Sequence, residues 1–138
     1  KVVSYEFDEN DLTGETAALK TGADPESVFK TLVCEGDKTG YLVFCIPVTL
    51  ELDLKKAAHI SGNKKVETIK LKDLFPLTGY LRGGCSPIGM KKHYPVFVDE
   101  TAQLFEQIYV SAGARGKQLL IAPDDLLIIT KGIYAEVV

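Results

Sequence analysis

The stretch VFKTLVCEGDKTGYLVFCIPV, Val28 to Val48, predicts a β-hairpin in the first half of the chain. Val28–Glu35 and Tyr41–Pro47 are rich in valine, leucine and aromatic residues, which are typical of strands. The segment between them, GDKTG, is polar and contains two glycines, as tight connections between strands often do. We therefore expect this hairpin to form the centre of a β-sheet to which other strands add.

Short strands and short helices follow one another irregularly around the hairpin. Further strands are predicted in VVSYEF (Val2–Phe7), KVETI, PVFVDE, QIYVSAG, QLLIAP and IYAEVV. Helices are predicted between Thr13 and Gly22, in DLKKAAHISG up to Gly62, in KLKDLFPLTG with a break near Pro76, and in APDDLLIITKG with Pro123 in its first turn. Regular βαβ alternation is missing. The pattern predicts one α+β domain over residues 1–138, with a curled mixed sheet and helices packed outside it.

The composition is that of a globular protein without a membrane span or a disulfide framework. Apolar residues make up 46% and charged residues 25% of the chain, and no run of about 18 apolar residues is present. The three cysteines form no CxxC pair, and the two histidines lie at no ligand spacing from them, so no zinc site is expected. Sparse cysteines favour a reducing, cytoplasmic setting. The chain opens without Met, directly in a strand-like run, and we expect the natural protein to extend upstream.

Positive charge is concentrated in one part of an acidic chain. The formal net charge is −3, yet the segment from Leu54 to Val98 contains nine basic residues and two acidic ones. Such asymmetry indicates a surface that faces a polyanion. Solvated, lysine-rich helix faces would give the same count, and the charge alone does not decide between these interpretations.

Lys30 is the first candidate for a functional side chain. It lies in the middle of a predicted strand, between Val28, Phe29, Leu32 and Val33. At a cavity wall its ammonium could hold an anionic or carbonyl group of a ligand, because hydrogen bonds count for more where water is scarce. The alternative is an edge-strand lysine that discourages aggregation.

The glycine-rich stretch GGCSPIG, Gly83 to Gly89, is the second candidate. Gly83 and Gly84 allow close approach to the backbone, and successive exposed N–H groups form a nest for an oxyanion or a polarised carbonyl. Ser86 could add one hydrogen bond. The stretch matches neither the P-loop nor GxGxxG, and a tight turn between strands remains the alternative. Cys85 has no cysteine-protease signature around it, so a packed side chain is expected rather than a nucleophile.

The stretch YVSAGARGKQ, Tyr109 to Gln118, is the third candidate. A strand runs into small residues and glycines, and Ser111 at the strand end could present its hydroxyl to a pocket. A surface hairpin would have the same composition.

Five motifs together resemble one known family. VFKTLV, LDLKKAA, TGYLRGGCSPIGMKK, PVFVDE and IYVSAGARGKQ occur in the order and spacing of bacterial YbaK-type aminoacyl-tRNA deacylases, free-standing relatives of the editing domain of bacterial prolyl-tRNA synthetases. The resemblance extends from Tyr5 to Val138. It implies a barrel-like, mostly antiparallel mixed sheet flanked by short helices, with neither metal nor cofactor.

The resemblance also implies roles for individual residues. Lys30 matches an essential lysine that holds the 3′-terminal region of the substrate, and Gly83 and Pro87 match a Gly-x-x-x-Pro motif whose backbone amide positions the scissile carbonyl. Other residues fall at or beside pocket positions: Tyr5, Thr31, Gly84, Ser86, Ser111 and Gln118. Some members carry aspartate where this chain has Gln118. The tRNA phosphates would meet the basic segment, with Lys55, Lys56, Arg82, Lys91 and Lys92 as contacts.

The activity that the resemblance implies is hydrolysis of the ester between a wrong amino acid and tRNA, typically cysteine on proline tRNA. The substrate thiol would attack its own ester carbonyl, and the protein would position the ester and stabilise developing charge. Prolyl-tRNA synthetase is an expected partner. Two alternatives remain open: an editing enzyme for another small amino acid such as alanine, and a non-catalytic module that binds tRNA or a synthetase.

Overall fold

The computed structural model describes residues 2–4, 22–82 and 84–138. The elements in chain order are β1 (Val2–Ser4), a 3-10 helix (Pro25–Ser27), β2 (Phe29–Gly36), β3 (Gly40–Pro47), α1 (Leu54–Ser61), β4 (Val66–Thr68), α2 (Leu71–Thr78), β5 (Val96–Asp99), a 3-10 helix (Glu100–Leu104), β6 (Ile108–Ser111), β7 (Lys117–Ile121), α3 (Pro123–Thr130) and β8 (Ile133–Ala135). The predicted helix between Thr13 and Gly22, and the predicted strand residues beyond Ser4, lie outside the described residues.

The predicted hairpin is confirmed. β2 and β3 pair antiparallel from Phe29 opposite Pro47 to Gly36 opposite Gly40. The turn is fastened by the segment after α1, because Asn63 Oδ1 accepts hydrogen bonds from the backbone N–H groups of Lys38 and Thr39 at 2.8 and 3.1 Å. The hairpin therefore holds its register by contacts outside itself as well as by the ladder.

The other strands extend the hairpin into an open, curved arrangement of two sheets. One sheet has the order β4-β2-β3-β5-β8 and the other the order β1-β7-β6. The β3–β5 and β5–β8 pairs are parallel, and the remaining pairs are antiparallel. Within the described residues, a parallel bridge between Val28 and Tyr109 links the two sheets. The predicted mostly antiparallel mixed sheet is confirmed, although the sheet is not closed and "barrel-like" describes it only loosely.

Alternate residues of β2 and β3 supply two separate apolar cores. Phe29 and Val33 face the first core, which also receives β6 and α3, whereas Cys34 and Phe44 face the second, which is covered by α1. Side chains of a strand alternate between faces, so a residue's position along β2 decides which core or pocket it meets. This alternation places the candidate residues Lys30 and Thr31, described below, on opposite faces of β2.

The helices have the predicted places, with one correction. α1 begins after Asp53, whose carboxylate accepts from the N–H groups of Lys55 and Lys56, and ends at Gly62 in the left-handed conformation. α2 is not broken near Pro76 as predicted but continues to Thr78. A proline in a two-turn helix removes only one intrahelical bond, and the last turn is held by Gly79 N–H donating to the Phe75 carbonyl at 2.8 Å. None of the helices in the described part of the chain is long and apolar enough to cross a membrane.

Candidate active site

Lys30 and Ser111 lie at equivalent positions on the two strands that the bridge between the sheets joins. The bridge pairs Val28 with Tyr109 in parallel, and the two side chains pack in one small apolar cluster. Lys30 and Ser111 each follow the bridged pair by two residues, so both side chains project to the face of that pair. Beyond this bridge no further pairing of β2 with β6 is described, so Lys30 and Ser111 lie just past the point where the two sheets are joined.

Gln118 adds a third polar group to this face. It lies directly opposite Ser111 in the β6–β7 ladder, and the residue is only 6% exposed. Its Oε1 atom is buried without a hydrogen-bond partner among the described residues. A buried acceptor that is left unpaired costs stability, so this atom marks a position where a ligand donor would be favourable.

The Lys30 ammonium is weakly engaged within the protein. Among the described residues its ion-pair partner is Glu51, with Nζ 4.0 Å from Oε1, and the Glu51 side chain is 96% exposed. Ion pairs of this kind contribute little. β4 pairs with β2 only from Cys34 to Gly36, so Lys30 occupies a locally open edge although β2 is an inner strand. Within the described residues, a ligand oxygen could therefore replace Glu51 at the ammonium at little cost.

The glycine-rich loop is fastened to the β6–β7 turn, which follows Ser111 and precedes Gln118. A Cβ on Gly84 would lie 3.2 Å from the backbone nitrogen of Arg115 and 3.3 Å from the carbonyl carbon of Ala114. Arg115 Nε donates to the carbonyl of Arg82 at 2.8 Å. The two segments thus contact each other through backbone, and the loop reaches the end of the small sheet where Ser111 and Gln118 lie.

Tyr80 contacts both the glycine-rich loop and the β6–β7 turn, a role that no sequence motif indicated. Its hydroxyl donates to the carbonyl of Ile88, and its ring lies within 3.0 Å of where a Gly113 Cβ would stand. Burial raises the pKa of this phenol, which keeps the hydroxyl protonated as a donor. The only signal in the sequence was an aromatic residue at the start of a glycine-rich stretch.

The interior of the loop is packed. Ser86 is 3% exposed, and its Oγ accepts from Ile88 N–H at 3.2 Å. Pro87 is also buried and lines a cavity of about 180 Å³ together with His93 and Ile129. Gly83 and Tyr5 lie outside the described residues, so their predicted roles remain predictions.

The cysteines are buried thiols. Burial raises the pKa of Cys85 to about 11, against a hydrogen bond from Thr78 that lowers it, and burial likewise raises the pKa of Cys45 to about 12. A thiol of such pKa is protonated near neutral pH and a poor nucleophile. Cys85 is therefore a packing residue of the loop, as expected.

Thr31 faces away from Lys30, towards the first core. Its Oγ1 lies 3.9 Å from the sulfur of Cys45. It lines a second cavity of about 230 Å³, whose wall includes Lys70, Leu71, Leu74, Arg82 and Cys85. The neighbouring side chains of Lys30 and Thr31 thus point to different sides of β2. Lys70, which no sequence motif indicated, is a further candidate residue.

The predicted tRNA contacts fall into two groups. Lys55 and Lys56 lie on α1, where Lys56 Nζ bonds Glu136 Oε1 at 2.9 Å and the Val138 carbonyl at 2.8 Å. Arg82, Lys91 and Lys92 are exposed and flank the glycine-rich loop. The second group is close to the candidate site and carries no described ion pair. In the part of the chain that the structure describes, no group of His, Cys, Asp or Glu side chains could hold a metal ion.

The fold and the site define a small α+β domain in which Lys30 and Ser111 follow the bridge between the two sheets, Gln118 lies opposite Ser111, and the glycine-rich loop contacts the β6–β7 turn. The chain belongs to the aminoacyl-tRNA editing domain family, whose model matches residues 8–129. The family matches the one that the five sequence motifs indicated.

Individual relatives agree with this assignment. The chain is 53% identical over 135 residues to a protein of Enterococcus faecalis named "Putative Cys-tRNA(Pro)/Cys-tRNA(Cys) deacylase EbsC", covering 96% of this chain and 82% of the relative. It is 23% identical to "Uncharacterized protein YwhH" of Bacillus subtilis, covering 88% of this chain and 76% of that one. A solved structure described as "a putative trans-editing enzyme for prolyl tRNA synthetase" matches with a TM-score of 0.88 at 27% identity, covering 99% of this chain and 85% of the other.

Proposed function

We propose that the chain is a trans-editing deacylase that hydrolyses the ester of mischarged aminoacyl-tRNA in the cytoplasm, with cysteine on proline tRNA as its preferred substrate. The observation that carries the proposal is the shared face of Lys30, Ser111 and Gln118, with the Gln118 oxygen unpaired. The Enterococcus relative, named for Cys-tRNA(Pro) and Cys-tRNA(Cys), supports the choice of amino acid.

In this proposal, Lys30 and the loop bind the two sides of the ester. The Lys30 ammonium holds an oxygen of the 3′-terminal nucleotide, and the backbone amide at Gly83 donates to the scissile carbonyl. The contact of Gly84 with the β6–β7 turn keeps that amide in place, so little reorganisation is needed as negative charge develops on the carbonyl oxygen. Ser111 and Gln118 face the aminoacyl group, and the Gln118 oxygen accepts from its ammonium.

The chemical step needs no nucleophile from the protein. The substrate sulfur attacks its own ester carbonyl, a carbon–sulfur bond forms, and the bond from that carbon to the ribose oxygen breaks. The thiol proton ends on the ribose oxygen, which leaves tRNA with a free 3′ end and cysteine as a cyclic thioester that water opens. The raised pKa of the Cys85 thiol agrees with a mechanism in which the substrate, and not the protein, supplies the nucleophile. Prolyl-tRNA synthetase, which produces the mischarged tRNA, is the proposed partner.

The proposal is tested by deacylation of a panel of tRNAs charged with cysteine, alanine, serine or proline. We expect cysteinyl-tRNA to be cleaved fastest and correctly charged prolyl-tRNA to be spared. Preference for alanyl-tRNA would instead support an alanine-editing enzyme. Binding of tRNA without cleavage of any ester would show a non-catalytic module and overturn the proposal.

Gln118→Met is expected to lower activity without lowering stability. The substitution keeps the length of the side chain and removes the buried unpaired oxygen, so the free energy of unfolding should rise by about 1 kcal/mol or stay unchanged. The value of kcat/KM for cysteinyl-tRNA should fall by roughly tenfold, since the substrate ammonium loses an acceptor. Urea denaturation and deacylation rates measure the two effects.

The matched control is Gln107→Met, at an exposed glutamine before β6. It should change neither quantity. A Gln118→Met protein that is destabilised and fully active would show that Gln118 is structural and does not contact the substrate.

Gly84→Ala is expected to slow deacylation while leaving most of the stability. The added Cβ meets backbone atoms of Ala114 and Arg115 at 3.2–3.4 Å, which cannot rotate away, so the loop must shift by a few tenths of an ångström. Overpacking of this size costs about 1 kcal/mol, whereas a displaced amide reduces kcat by roughly tenfold. Rates at saturating substrate measure this effect; a variant with wild-type kcat would show that the loop does not position the ester.

A further inference from the structure

Phe75, on the helix whose Leu71 and Leu74 line the cavity next to Thr31, forms an exposed aromatic–cation pair with Lys91. Phe75 on α2 is 51% exposed, and Lys91 Nζ lies 5.0 Å from the centroid of its ring. The ammonium is therefore held against the ring by its quadrupole, and much of the ring remains accessible to another planar group.

Both members of the pair are held in position by local structure. The N–H of Lys91 donates to the carbonyl of Thr78 at 3.1 Å. Gly79, which ends α2 at a φ of 83°, would place a Cβ only 3.3 Å from Lys91 Cγ. Any larger residue at this position would displace the lysine stem, so the pair is preorganised and loses little freedom on binding a ligand.

The part of α2 that precedes Phe75, and the cavity that it lines, are apolar and positively charged. Leu71, one helical turn before Phe75, lines the cavity of about 230 Å³ together with Lys70 and Arg82. Leu71 and Leu81 are themselves 59% and 54% exposed. Within the described residues, the three ion pairs involve Lys30, Lys56 and Lys65, so Lys70, Arg82 and Lys91 are not neutralised by any described acid.

We propose that Phe75 stacks with a base of the single-stranded 3′ end of tRNA while Lys91 contacts the adjoining phosphate. Exposed aromatic faces among cations are how proteins bind single-stranded nucleic acid, because every base offers a flat face and every linkage a negative charge. Charge complementarity favours RNA over a protein as the occupant. The inference deepens the proposed function and rests on it, since it names where the strand outside the ester site lies.

A single tryptophan at position 75 tests the stacking directly. The chain contains no Trp, so Phe75→Trp introduces the only indole, whose fluorescence is quenched when a base stacks on it. Uncharged tRNA should quench this emission, whereas the same tRNA without its four 3′-terminal nucleotides should not. Ile128→Trp, at a position 74% exposed on α3, is the matched control and should respond to neither.

A second measurement separates stacking from attraction by charge. Phe75→Leu should raise the Kd for uncharged tRNA by roughly tenfold at fixed salt, whereas Ile128→Leu, at the exposed control position on α3, should leave the Kd unchanged. Equal quenching by intact and truncated tRNA, quenching by neither, or an unchanged Kd would overturn the inference. Deacylation by the wild-type protein is measured independently, so cleavage of cysteinyl-tRNA without an effect at Phe75 refutes only this inference.

Discussion

Lys30→Met is expected to reduce deacylation of cysteinyl-tRNA by roughly 10²-fold or more, because one preorganised electrostatic contact to the reacting group is removed. Methionine matches the lysine stem, so packing along β2 is preserved. The ion pair with Glu51 is long and solvent-exposed, and the free energy of unfolding should stay within about 0.5 kcal/mol. Single-turnover deacylation and urea denaturation measure the two quantities.

Two further variants sharpen this test. Lys38→Met, at an exposed position in the β2–β3 turn, removes the same charge away from the site and should remain fully active. Lys30→Arg keeps the charge but replaces a compact ammonium with a planar fork, and partial activity is expected. If Lys30→Met deacylated at the wild-type rate, Lys30 would have no part in the reaction.

Replacing the substrate cysteine with serine or alanine is expected to slow ester cleavage by roughly 10²-fold or more. The proposed step depends on an intramolecular thiol, which is a far better nucleophile than a hydroxyl and profits from being held next to its target. Rates on cysteinyl-, seryl- and alanyl-tRNA of the same tRNA measure the effect. Mass spectrometry of the early products should detect the cyclic thioester from cysteine.

The opposite result has a definite meaning. Equal rates for the three amino acids would require a water molecule activated by the protein, and the thiol step would be abandoned. The deacylase assignment would survive that outcome, since it depends on cleavage of the ester and not on which atom attacks the carbonyl.

Local sequence patterns predicted most of the elements but not how the site is assembled. The hairpin and the end of α1 at Gly62 follow from strand-forming residues and a helix-ending glycine, which act over a few positions. The shared face of Lys30 and Ser111 depends on the Val28–Tyr109 bridge, which joins residues far apart in the chain. No local pattern contains that pairing.

The other features that the sequence did not predict also depend on contacts that appear only in the folded chain. The direction of Thr31, towards the first core, follows only once it is known which β2 residues each core buries, and the unpaired Gln118 oxygen is identified only when its neighbours are known. Pro76 by itself predicts a break in α2, but the hydrogen bond from Gly79 N–H to the Phe75 carbonyl holds the last turn of the helix. The five-motif resemblance indicated site positions that composition alone left open.

The junction of the two sheets has a consequence for how amino-acid selectivity changes during evolution. Within the described residues one bridge joins the two sheets, and the small cluster of Val28, Val48, Ala23 and Tyr109 packs at that bridge. A bulkier or smaller cluster would change how the sheets meet two residues away from Lys30 and Ser111, without changing either residue. We therefore expect related proteins to adjust the size of the amino acid they accept by repacking this cluster, with the polar groups of the site kept as they are.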